Sequence, residues 1–156
     1  MRAARLPSTR GEAQEGARPP LRRDPFAYAL IRVVPRVERG ECVNVGAVLF
    51  CRSRRFLEAR LELDRDRLVA MAPDLDLPAV QRQIDLIGLV LRGDPAAGPI
   101  GKLSQAERFG WVVAPASTVV QPGPVHAGLC LDPAAELDRL FRTMVQVRKE
   151  AEGGRR

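Results

Sequence analysis

The chain is 156 residues long and 46% apolar, yet it has only one Trp, one Tyr and five Phe, so a core of its own must be mainly Val, Leu, Ile and Ala. Its net charge of +6 suggests a nucleic-acid partner until it is divided: residues 1–25 carry +3 and residues 148–156 carry +2, leaving about +1 between them. No apolar run approaches the roughly 18 residues that cross a bilayer, and no apolar segment follows the basic start as in a secretory signal, so a cytoplasmic protein without a membrane partner is expected.

Residues 1–24 are Arg, Pro, Gly, Ala and Glu without periodicity, a composition expected to be a disordered basic tail. A single domain is expected over 25–147, followed by a disordered charged tail at 148–156. From Phe26 to Val34 the residues are β-branched, aromatic or small. Phe26, Tyr28, Leu30 and Arg32 fall on one side of a strand and Ala27, Ala29, Ile31 and Val33 on the other, the pattern of an interior strand covered on both faces. Pro35 ends it, and a charged loop with Gly40 leads to a second strand over Cys42 to Cys51, where Gly46 signals a bulge or a close backbone approach. Phe56 to Leu63 gives a third strand. Short links between consecutive strands favour antiparallel pairing.

Asp64 caps a short helix through Met71. Asp76, with Pro78 behind it, starts a longer helix whose Val80, Ile84, Ile87 and Leu91 form one apolar stripe. Residues 96–108 read as a loop with one helical turn near Ser104. Phe109 to Ala114 reads as a strand, Thr118 to Gln121 as a short extended piece and Val125 to Leu131 as a last strand, with Pro122-Gly123-Pro124 as a turn. Asp132-Pro133 starts a final helix with Leu137, Leu140, Phe141 and Met144 inward. The sum is an α+β domain, a mainly antiparallel sheet of about five or six strands packed against two main helices.

His126 is the only histidine, so two-histidine chemistry and multi-histidine metal sites are excluded by count. Cys42, Cys51 and Cys130 stand at no metal-ligand spacing and read as reduced core residues; no metal and no cofactor is expected. A Cys130–His126 dyad fails on reach, since four residues along a strand span about 13 Å. Ser117 lacks a nucleophile elbow and reads as a turn residue, and Trp111 reads as core. Arg108 and Glu107 read as solvated charges.

Arg32 and Asn44 are harder to place, because each interrupts an apolar run and a buried guanidinium requires a partner. One reading is structural: Arg32 pairs with Glu38 or Asn44, beside Tyr28, and fixes the hairpin register. The other gathers Arg32, Asn44, Ser117, Gln121 and His126 as a cleft for an anionic or amide ligand, with His126 the candidate catalytic residue of a hydrolase or nuclease-like enzyme. Nucleic-acid binding through the Arg-rich tails is a third possibility.

The strings YALIRVVPRVERGECVNVGAVLF at 28–50, ERFGWVVAPASTVVQPGPVHAGLC at 107–130 and DPAAELDRLF at 132–141 resemble the bacterial domain of unknown function 3037. That resemblance implies a small accessory or interaction protein, encoded near a HipA-like kinase in a stress or defence system of the toxin–antitoxin type. Such a kinase is the expected protein partner.

Overall fold

A strand that is apolar on both faces needs cover on both faces, and in the computed structural model, which describes residues 21–148, the first strand is the centre of the sheet. β1 (Asp24–Val33) pairs antiparallel with β2 (Val43–Cys51), which pairs antiparallel with β3 (Phe56–Leu61). The other edge of β1 is filled from late in the chain, by β4 (Val120–Pro122) at its end and β5 (His126–Cys130) at its beginning. The helices are α1 (Arg65–Met71), α2 (Leu77–Arg92), α3 (Gln105–Val113) and α4 (Pro133–Met144), with 3-10 segments at Arg52–Arg54 and Pro95–Lys102. The fold is therefore α+β, with an all-antiparallel sheet of five strands.

Ala29, Ile31 and Val33 of β1 join Val43, Val45 and Val48 in the larger core, against Val80, Ile84 and Leu91 of α2 and Phe109 and Val112 of α3. On the opposite face Phe26, Ala47, Leu49 and Cys51 pack under Leu137 and Leu140 of α4. Burying each such aliphatic side chain stabilises the fold by about 1.5–3 kcal/mol relative to leaving it in water, which is what holds α4 to the sheet. The caps anticipated for α1, α2 and α4 are present: Asp64, Asp76 and Asp132 each accept a backbone N–H in the first turn.

Two bulges shape the sheet beside Arg32. On β2, Ile31 faces Gly46 but Arg32 faces Asn44, so Val45 is an extra residue. In an unbulged strand Val43 and Val48, five residues apart, would point to opposite faces; the bulge lets both enter the core. On the other side, Ile31 faces Pro122 and Tyr28 faces His126, so two residues of β1 oppose the three residues 123–125. β4 and β5 are thus two halves of one edge strand. Pro122-Gly123-Pro124, expected to be a turn, instead carries the chain onward in the same direction, held by the Gly123 N–H donating to the Leu30 carbonyl at 2.7 Å.

Several other expectations are corrected. Phe109 to Ala114 is not a strand but the body of α3. Ser104 and Glu107 close a reciprocal capping box that nucleates helix through the β-favouring run Trp111-Val112-Val113. In that helix Phe109 and Val112 point inward, and Trp111 is 41% exposed rather than core. Arg108 is not simply solvated: its guanidinium donates to the carbonyls of Leu91 at 2.6 Å and Leu103 at 3.0 Å, satisfying the end of α2. Cys42 is exposed, whereas Cys51 and Cys130 are buried. Asp24, assigned from sequence to the tail, is the first residue of β1 and is buried. The remainder of the two tails, 1–20 and 149–156, lies outside the described residues.

Candidate functional site

Alternation along β1 puts Tyr28, Leu30 and Arg32 on the face that carries α4, but α4 packs on β2 and β3 and leaves the β1–β5 half of that face open. Tyr28, Leu30 and Arg32 are accordingly half-buried and His126 is exposed. Direct pairing of Tyr28 with His126 brings their rings together, centroids 5.2 Å apart and tilted by 32°, and Phe26 extends the row at 6.0 Å from Tyr28. Gly128, paired with Phe26, makes room for the row. A Cβ there would stand 2.8 Å from the Phe26 ring.

Arg32 lies four residues beyond Tyr28 on the same face, about 13 Å along the strand. Its Nε is buried and has no hydrogen-bond partner among the described residues, and none of the ion pairs found there includes it. The expected Arg32–Glu38 pair does not form, for Glu38 is exposed in the turn between β1 and β2. Asn44 faces Arg32 across the bulge, but its amide donates to the Met144 carbonyl at 3.1 Å and so caps the end of α4. Among the described residues no hydrogen bond joins the Arg32 side chain to Glu38 or Asn44, and the register shifts at the bulge between Ile31 and Arg32.

The other expected members divide. Gln121 pairs with Arg32 in the ladder, yet its amide turns back to donate to the Thr118 carbonyl at 2.9 Å. As the ladder partner of Arg32 its side chain starts on the α4 side, while the residue also borders a cleft on the α2 side of the sheet. Ser117 is exposed in the loop before β4. The extended edge from Val120 to His126 alone spans about 20 Å, so Ser117 and His126 cannot share a proton. Of the cysteines, Cys51 and Cys130 are buried and Cys42 is exposed in the approach to β2. Burial first and the neighbouring Cys51 second push the Cys130 thiol above its ordinary range, which keeps it protonated. Arg139 of α4 borders the open face near Tyr28, its guanidinium held charged chiefly by the Glu136 carboxylate.

Sequence reasoning missed two features. One is the buried carboxylate of Asp24, held by Arg54 at 2.6 Å and Ser53 at 3.0 Å. The other is the α2-side cleft, about 280 Å³, lined by Trp111, Leu86, Ile87, Gln83, Thr118 and Gln121 among others. The signal for the cleft was the Ser104-to-Glu107 spacing, which begins a helix and so turns Trp111 away from Phe109 and Val112. Among the described residues there is no cluster of His, Cys, Asp and Glu able to hold a metal ion, and no helix is long and apolar enough to cross a membrane.

No curated protein and no solved structure matches the chain. Residues 28–145 match the model of a family described as a protein of unknown function, DUF3037, and the chain belongs to that family.

Proposed function

We propose that this protein is an accessory binding module that engages an acidic group of a protein partner on the open half of the α4 face. The observation that carries the reading is the orphaned Nε of Arg32, flanked by a bulge on each neighbouring strand. Leaving a buried donor unpaired costs about 1–3 kcal/mol, and bulges recur where a sheet re-aims side chains at a ligand. A carboxylate or phosphate brought by a partner supplies the missing acceptor. The Tyr28–His126 pair alongside provides an amphipathic aromatic anchor of the kind that dominates interfaces.

Binding is favoured over catalysis because His126 has no carboxylate or hydroxyl holding it among the described residues; its neighbour is the Tyr28 ring. The resemblance noted above makes a HipA-like kinase the first partner to try. Titration of the purified protein with such a kinase from the same host is expected to give a saturable complex that Arg32→Gln and His126→Ala each weaken by about tenfold or more. Full affinity in both variants, with their folds intact, would overturn this reading. Nucleic-acid binding through the basic ends remains a lesser proposal. It predicts affinity that falls steeply with salt and disappears when residues 1–20 and 149–156 are removed.

A further inference from the structure

The α2-side cleft is separate from the Arg32 face and has its own chemistry. Two of its lining residues are large hydrophobic side chains left in water, Trp111 at 41% and Leu86 at 40% exposure. They come from different helices, α3 and α2, and meet over one concavity closed by the chain from Ala114 to Pro122. Pro115 and Pro122 lie in that wall and fix φ at their own positions, which limits its flexibility.

Although 28% of the chain is charged, no charged residue lines the cleft. A charged ligand would be desolvated there without a counter-ion, so the occupant is neutral. The polar side chains available to it are one carboxamide, Gln83, and one hydroxyl, Thr118; Gln121, the ladder partner of Arg32, starts on the opposite face of the sheet. Thr118 donates to the Val120 carbonyl at 2.7 Å, so its hydroxyl proton is already engaged. The exposed Gln83 offers a donor and an acceptor side by side. A Trp face calls for a planar ring, and a carboxamide calls for a ring edge with a donor and an acceptor side by side, as in its pairing with adenine. The volume of about 280 Å³ holds one small ring system and little more.

We propose that the cleft between α2, α3 and residues 114–122 is a binding site for a neutral planar heteroaromatic molecule of nucleobase type, stacked on Trp111 and read by Gln83. Trp111 is the sole tryptophan of the chain and reports on the site directly. Its emission, excited at the red edge where adenine does not absorb, would be followed as the full-length protein is titrated with adenine, with uracil and, for shape alone, with indole.

Saturable quenching by adenine or uracil is expected. Leu86→Arg, which fills and charges the mouth of the cleft, should weaken it by about tenfold or more, and Gln83→Ala by about tenfold, the value of one good paired contact to a base edge. Arg32→Gln, on the other face of the sheet, should leave it unchanged, which keeps this test independent of the partner-binding reading. The proposal fails if neither base gives saturable quenching up to its solubility. It fails equally if Leu86→Arg responds like the wild type, or if indole binds as well as the bases. The last result would mark an apolar docking groove for a partner side chain.

Discussion

Asp24 and Arg54, thirty residues apart, close the sheet at the end where β1 begins. The Arg54 Nε donates to one Asp24 oxygen at 2.6 Å, its other nitrogen reaches the Leu131 carbonyl at 2.9 Å, and the Ser53 hydroxyl donates to the second Asp24 oxygen at 3.0 Å. The pair thus ties β1, the turn after β2 and the exit from β5 into one corner. The hydrogen bond from Arg54 is the main cause holding the Asp24 carboxyl below its ordinary value, with Ser53 second, and Arg54 is raised in return.

A carboxylate whose folded pKa is depressed contributes stability that is present above its unfolded pKa, near 3.8, and lost as pH falls through the folded value. Asp24→Asn is therefore expected to lower the urea midpoint at pH 7 and to flatten the loss of stability of the wild type below about pH 4. Urea denaturation of both proteins across that range checks it; parallel curves would show that Asp24 is not a source of acid sensitivity.

Gly46→Ala should destabilise by about 1–3 kcal/mol. The added Cβ would meet the Leu61 side chain and stand 2.9 Å from the Arg60 carbonyl, and the backbone of β3 has nowhere to retreat within the ladder. Denaturant midpoints of the two proteins decide the matter.

Ser104→Ala removes one half of the capping box and should cost about 1 kcal/mol. Because the cap orders α3, the same variant is expected to shift Trp111 emission, a readout that a distant destabilisation would not give. An unaltered spectrum with an unaltered midpoint would mean that packing of Phe109 and Val112 alone holds the helix.

Arg32→Met should leave stability unchanged or raise it by up to about 3 kcal/mol, since a buried donor without a partner is replaced by an apolar chain of similar length. Calorimetric or denaturant unfolding tests this. A loss near 3 kcal/mol would instead assign Arg32 a structural ion pair.

The architecture was legible where local chemistry and period agreed. The alternation of β1, the caps at Asp64, Asp76 and Asp132, and the stripes of α2 and α4 all specify one element each. Trp111-Val112-Val113 reads as a strand because its side chains favour strands, while the helix it belongs to is started by a cap seven residues before Trp111. The site was half legible. Arg32 and His126 do share a face, but whether Gln121 and Asn44 join them depends on two single-residue bulges and on where α4 ends. Those are properties of the assembled sheet, and no local pattern encodes them.

The filling of both edges of β1 also sets the order in which the molecule becomes safe. β1, β2 and β3 lie within residues 24–61 and can pair as soon as they leave the ribosome, whereas the second edge of β1 waits for residues 120–130. Closing that span carries the chain-entropy cost of a long loop, and until it closes an apolar central strand shows an open edge to other chains. Nascent or truncated chains that stop short of Cys130 are thus expected to aggregate more readily than the full chain, in which the late edge strand covers β1.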